Sequence, residues 1–284
     1  MAEPQVVESA VEYRRNGDEP LLAQVYRPAA GGPYPALLDV HGGAWSGNVR
    51  FANKGLDRIL AATGMVVVAI DFRQAPRDPY PAMVQDVNFA TRWIKRNAAG
   101  LGVRPGPVGA LGTSSGGHLA LLSAVRPRDP RYAALPLPAA GEGGAAAEPD
   151  ADLGYVVACW PPVDPYLRYE FARETGRGDL VRATLGCFGT TEVMRAASPE
   201  RIVAAGEAQA LPPVLVVQGT ADGNIPMPMI ERFAATYRTA GGALQLEVYE
   251  GQPHGFAMRP GPEGERAFAQ IKAFVARQVA APVP

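Results

Sequence analysis

Two adjacent serines stand between glycines in "LGTSSGGHL", residues 111–119. A hydroxyl becomes a useful nucleophile only when a nearby base takes its proton, so the spacing around each serine matters. Ser114 has Gly112 two residues before it and Gly116 two residues after, which fits G-x-S-x-G. Ser115 would need a glycine where Thr113 stands, so it supplies only the next backbone N–H. The apolar run Val108 to Leu111 reads as a strand and "HLALLSAV" as a helix. A strand reversing into a helix within about two residues needs positions without Cβ. A plain turn of this kind needs glycines too, and the motif carries chemistry only beside a base, an acid and an oxyanion site.

The chain has three histidines, so the base can be sought by elimination. His118 lies four residues past Ser114 on the following helix, which carries it away from the hydroxyl and suits it to packing or a local hydrogen bond. His41 opens "HGGAW" directly after a buried strand, where it shapes a tight loop. His254, in "GQPHGF", sits on a Gly-flanked loop after the last short strand and is the best base. An imidazole base needs a carboxylate on its other nitrogen to fix the tautomer and stabilise the imidazolium. Asp222 in "QGTADGNIP" follows a strand, and its strand should neighbour the one that leads to His254; a simple turn-capping role is the bland alternative. Asp164 in "WPPVDP" also follows a strand and is the rival. The negative charge that develops on a carbonyl oxygen during acyl transfer is best held by fixed backbone N–H groups. "HGGAW" offers them: Gly43 and Ala44, with Ser115 behind the nucleophile, are the expected donors, and Gly42 allows the turn. Alone, that string also suits an ordinary tight turn.

These loops need a scaffold that brings them to one edge. Apolar runs at residues 33–40, 65–72, 108–111, 155–160, 213–219 and 244–250 read as strands, with helical spacing at 51–63, 82–99 and about 262–280. Such alternation predicts a mostly parallel sheet covered on both faces, with the alternating segments near residues 6–15 and 21–28 as an antiparallel hairpin at its edge. Two stretches break the pattern. Residues 126–153, including "AAGEGGAAAEPD", read as a surface excursion. Residues 161–210, following the sixth strand, are expected to form a small lid. Trp45, Trp160, Pro161, Pro162 and the aromatics Tyr166, Tyr169, Phe171 and Phe188 suggest an apolar substrate pocket, although core packing suits them equally.

Composition narrows the rest. The 284 residues, 47% hydrophobic, can bury one sizeable core, and a single α/β domain over 1–284 is expected. A formal net charge of −1 with no long basic run argues against nucleic acid or an anionic membrane as the main partner. The apolar run "MVVVAI" is far shorter than the ~18 residues a spanning helix needs. The acidic start has no secretory character, which favours a cytoplasmic location. Cys159 and Cys187 make no disulfide framework, and scarce histidine gives no zinc pattern, so no metal or cofactor is implied. The oligomeric state is open, a homodimer included.

Taken together, the motifs resemble the α/β-hydrolase esterases with an "HGG" oxyanion loop, the hormone-sensitive-lipase-like carboxylesterase group. "AIDFRQAPRDPYPAMVQDV" is similar to that group's "DYRLAPE-x-PFPA-x-x-D", "GTSSGGHLA" to its "GDSAGG" elbow, and "GTADGNIP" and "PHGF" to its acid and base segments. The likeness runs from about residue 20 to the C-terminus and has the order Ser114, Asp222, His254. It implies an α/β-hydrolase fold and a small-molecule ester substrate, and the apolar pocket suggested by the aromatics suits a neutral, short-to-medium acyl or aryl group. Arg73 and Asp86 fall in the group's structural stretch and are expected to be scaffold. Ala44 replaces the third glycine of "HGGG", and Thr113, Ser114 and Ser115 replace Asp-Ser-Ala. The short N-terminus implies that any lid comes from residues 126–210. These features also resemble a smaller bacterial branch whose look-alikes include feruloyl and acetyl esterases and kynurenine formamidase-like enzymes. An amide-cleaving relative, such as an arylformamidase or acylpeptide hydrolase, is the alternative enzyme, and a non-catalytic binding protein is the alternative outside enzymes.

Overall fold

The computed structural model describes residues 5–138 and 148–280. The expectations about the first residues and the middle of the 126–153 excursion lie outside that range. Eight strands form one sheet in the order β1-β2-β4-β3-β5-β6-β7-β8. They are β1 (Val6–Asn16), β2 (Glu19–Pro28), β3 (Ala36–Val40), β4 (Val66–Ile70), β5 (Val108–Thr113), β6 (Leu153–Cys159), β7 (Val214–Gly219) and β8 (Leu244–Tyr249). The β1–β2 hairpin and the β2–β4 pair are antiparallel, and every other neighbouring pair is parallel. The central strands β3, β4, β5 and β7 are buried at every position, which explains why they read as unbroken apolar runs rather than alternating ones.

Helices cover both faces. On one face pack α1 (Lys54–Ala62) and α10 (Pro262–Ala280), joined to the strands through Leu37, Val67, Val157, Leu215 and Phe274. On the other lie α2 (Ala82–Arg96), α4 (Ser115–Val125) and α9 (Met227–Thr239), built around Leu38, Val68, Leu121, Val156 and Phe233. A short α3 (Ala98–Leu101) continues from α2. Burying each such side chain contributes about 1.5–3 kcal/mol. All of α4 is buried, so its apolar residues point in every direction rather than along one stripe. Asp86 on α2 is fully buried and pairs with Arg14 and Arg73, its Oδ2 accepting from the Arg73 backbone N–H at 2.9 Å. That pairing ties the edge hairpin to the sheet, the structural role expected of Arg73 and Asp86.

Residues 161–210 fold as α5 (Pro165–Glu174), α6 (Gly178–Phe188), α7 (Thr191–Ala196) and α8 (Pro199–Ala204). Local chemistry sets three of these starts: Asp164, Thr190 and Ser198 each cap a helix with the side chain, and proline follows Asp164 and Ser198 at the first helical position. The inner faces carry Arg168, Ala172, Thr184, Cys187, Phe188 and Met194 into the core. From the described part of the 126–153 stretch, Tyr132 is buried and its hydroxyl lies 2.6 Å from that of Tyr80, while Lys95 holds Asp150 at 2.6 Å. Among the described residues, no helix is long and apolar enough to cross a membrane.

Candidate active site

In a parallel sheet the loops at the carboxyl ends of the strands converge on one edge. Here those loops carry His41 to Ala44 after β3, Ser114 after β5, Trp160 after β6, Asp222 after β7 and His254 after β8. Ser114 has φ 50° and ψ −123°, a backbone conformation that side-chain-bearing residues rarely adopt and that costs on the order of 1–3 kcal/mol. Close approach on both sides holds it. A Cβ on Gly112 would lie 2.4 Å from the Gly116 carbonyl, and one on Gly116 would lie 1.9 Å from the Val40 oxygen. The Ser114 N–H donates to the Cys159 carbonyl at 2.8 Å, so the turn is also fixed from β6.

His254 stands with Nε2 3.0 Å from Ser114 Oγ and Nδ1 2.8 Å from Asp222 Oδ2. The carboxylate at Nδ1 selects the tautomer that carries its proton there, which leaves the Nε2 lone pair to accept from the serine hydroxyl. Asp222 is buried, and four donors satisfy it. Oδ1 accepts the N–H groups of Asn224 at 2.8 Å and Ile225 at 2.9 Å, while Oδ2 accepts Gln218 Nε2 at 3.0 Å besides the imidazole. The His254 side chain is 27% exposed, open to a ligand on the side of the serine. The Trp160 ring meets it edge-on at 6.2 Å. The rival Asp164 is elsewhere: it caps α5 and pairs with Arg201 at 2.8 Å.

Across the serine lies the loop after β3. Gly43 has φ 126°, and a Cβ there would lie 2.1 Å from the Gly47 oxygen, so only glycine fits. Among the described residues, the N–H groups of Gly43, Ala44 and Ser115 have no acceptor. Gly42, grouped with the oxyanion loop for its turn, is not a free donor. Its N–H donates to Thr113 Oγ1 at 3.0 Å, and its part is to anchor the loop. Thr113 Oγ1 in turn donates to Asn53 Oδ1 at 3.1 Å, and Asn53 Nδ2 donates to Asp39 Oδ1 at 2.8 Å. Asp39 and the nearby Asp57 are both buried, with Asp39 Oδ2 and both Asp57 oxygens unpartnered. Burial raises both carboxyls above the ordinary aspartate range, and the charge of Asp39 raises Asp57 further.

The cleft over Ser114 is about 350 Å³ and is walled by Gly43, Ala44, Asn48, Trp160, His254 and Met258 among others. Trp45 is not part of it, contrary to the sequence expectation. Trp45 is 1% exposed, donates from Nε1 to His118 Nδ1 at 3.2 Å, and meets Phe188 edge-on at 5.0 Å. Ala44 and Trp45 have φ of 51° and 62°, and this left-handed turn places the indole in the core instead of the cleft. The insertion expected after the sixth strand is present as α5 to α8, and among the residues lining the cleft none comes from 161–210. Their apolar faces are already buried against α4 and Trp45, so they stand beside the site. His118 packs, with Nε2 2.8 Å from the Ala197 oxygen, and His41 stacks on Phe72 at 4.3 Å. Asn224, Asn53 and Arg168 were missed from the sequence. Asn224 had a local signal in its position two residues past Asp222, and Arg168 had none.

In sequence and in fold the chain is similar to known esterases. A model of the BD-FAE family matches residues 23–236. Esterase LipC of Mycobacterium tuberculosis is 33% identical over 236 residues, covering 81% of this chain and 55% of LipC. The chain spans about half the length of that relative. An esterase from Pyrobaculum calidifontis superposes with a TM-score of 0.76 at 27% identity, over 98% of this chain and 87% of that one. The propionate-bound esterase Est2 of Thermogutta terrifontis superposes with a TM-score of 0.68 at 26% identity, over 98% and 93% of the two chains.

Proposed function

The chain belongs to the BD-FAE family of α/β-hydrolases, and from that premise we propose that it is a serine carboxylesterase with Ser114 as nucleophile, His254 as base and Asp222 as the acid that orients it. His254 Nε2 takes the hydroxyl proton as Ser114 Oγ attacks the ester carbonyl. The oxyanion lies against the N–H groups of Gly43, Ala44 and Ser115. Nε2 passes the proton to the leaving oxygen, which departs as the alcohol. A water molecule, deprotonated by the same imidazole, then releases the acid and restores the serine. The observation that carries this reading is the continuous line from Ser114 Oγ to Nε2 at 3.0 Å and from Nδ1 to Asp222 at 2.8 Å.

The substrate is a neutral ester with a short acyl group. Among the described residues the cleft is lined by no Lys, Arg, Asp or Glu, so nothing there pairs with a charged acyl chain. The propionate in Est2 supports the same size class. Nitrophenyl esters of rising acyl length, with a matched anilide, test the proposal. Short-chain esters are expected to turn over fastest, and a fluorophosphonate probe is expected to label Ser114. Near-normal ester turnover in folded Ser114→Ala, or an anilide cleaved faster than its ester, would overturn it.

A further inference from the structure

Arg168 on α5 is an unusual cation. It is 2% exposed and forms no ion pair among the described residues. Instead Nη1 donates to Thr184 Oγ1 at 2.6 Å, the guanidinium sits over the Trp45 ring at 5.3 Å, and Nε donates to Asn224 Oδ1 at 2.9 Å. Holding a charge inside the protein without a carboxylate is costly, so the geometry it enforces is worth following. Asn224 Nδ2 lies 3.3 Å from His254 Nε2, the nitrogen that faces Ser114.

An amide side chain can usually turn over, exchanging its acceptor for its donor. Here it cannot do so freely. A guanidinium nitrogen only donates, so Arg168 Nε must face the amide oxygen, and the NH₂ group is left facing the imidazole. We propose that Arg168 and Asn224 are positioning residues that keep His254 a neutral base, by aiming an obligate donor at Nε2. Neutral Nε2 shares its one lone pair between the Ser114 hydroxyl at 3.0 Å and this longer N–H contact at 3.3 Å; protonated Nε2 has no lone pair to offer and meets a second N–H instead. The contact therefore opposes Asp222, which favours the imidazolium from the other side of the ring. When the Ser114 proton reaches Nε2, Asn224 gives it no resting place, and the leaving oxygen becomes its acceptor. The insertion thus reaches the chemistry without covering the cleft.

The titratable and charged groups around the ring are Asp222 at Nδ1, the Ser114 hydroxyl at Nε2 and Arg168 behind Asn224. Burial pulls Arg168 down to about 10, so it remains charged at neutral pH.

The proposal rests on His254 being the base, and the test is read in a way that does not depend on turnover. Imidazole ¹⁵N NMR of the full chain follows His254 through a pH titration, beside the acid limb of kcat/KM on a short nitrophenyl ester. Asn224→Leu keeps the Arg168 charge but removes both the donor facing Nε2 and the acceptor of Arg168 Nε, so its folded stability is measured alongside. Its titration midpoint and acid limb are both expected to move to higher pH by about 0.4–1 unit. Asn224→Asp is expected to move them further in the same direction, since a carboxylate accepts from the imidazolium. Arg168→Gln should share the sign; if it does not fold, the Asn224 variants decide. An unmoved midpoint in folded Asn224→Leu, or one displaced to lower pH, would overturn the proposal. A shifted NMR midpoint in a chain without esterase activity would leave this contact standing and remove the functional reading instead.

Discussion

Two buried carboxylate sites flank Ser114, and they are built on opposite principles. Toward β8, Asp222 receives four hydrogen bonds, two of them from backbone N–H groups. Toward β3, Asp39 receives one side-chain donor and Asp57 none, leaving three oxygens without partners. Donors preorganised around a carboxylate stabilise its charged form, whereas burial without them favours the proton. The first site is arranged to hold a negative charge against His254. The second is arranged to hold protons well above the ordinary aspartate range while it props the Asn53–Thr113–Gly42 chain under the oxyanion loop. Burial alone says little about a carboxylate's role; the donors around it say more.

The sharpest way to test that contrast is to neutralise each site in turn. Asp222→Asn removes the charge and the fixed tautomer, and kcat on a short nitrophenyl ester is expected to fall on the order of 10⁴-fold. A loss below tenfold would deny the β8 side its charge. Gly43→Ala meets both the φ of 126° and the Gly47 oxygen, so the oxyanion loop must shift. A loss of about 10²–10³ in kcat with little change in KM is expected from steady-state kinetics. Thr113→Val keeps the shape but leaves the Gly42 N–H and Asn53 Oδ1 without their partner. The urea midpoint should drop, corresponding to about 1–3 kcal/mol, with a smaller effect on kcat than Gly43→Ala.

Asp57→Asn is expected to change activity least and to show in the pH dependence of stability. Both Asp39 and Asp57 bind their protons more tightly folded than unfolded, so their contribution is present in full below the ordinary aspartate range and is lost as pH rises through the raised folded values. Denaturation series at several pH values should therefore show a flatter decline for Asp57→Asn than for the parent. An identical decline would mean that the pair is not protonated in the native protein.

Much of this arrangement was legible in the sequence because strand periodicity and glycine spacing are local signals. The apolar runs placed β3 to β8, and G-x-S-x-G, "HGGAW", Asp222 and His254 each mark the end of a strand. Trp45 was misread because its position in the sequence adjoins the oxyanion loop, while its direction depends on two left-handed residues and on a partner, His118, 73 residues away. The 161–210 segment reads as a lid because a long insertion follows a strand at the sheet's carboxyl edge; only the tertiary packing shows that its Phe188 is covered by Trp45 and Tyr80. Arg168 left no trace at all, since a helical arginine four residues past its cap is an ordinary surface pattern.

The contact between Gly116 and the Val40 oxygen has a mechanical consequence. The nucleophile's turn and the strand that ends in the oxyanion loop rest on one another with no side chain interposed, so a breathing motion that carries one carries the other. Distance from attacking oxygen to anion donors is then insulated from whatever the rim of the cleft is doing. Variation in Met258, which lines the cleft away from these contacts, could retune which molecules enter while the reacting centre keeps its gauge.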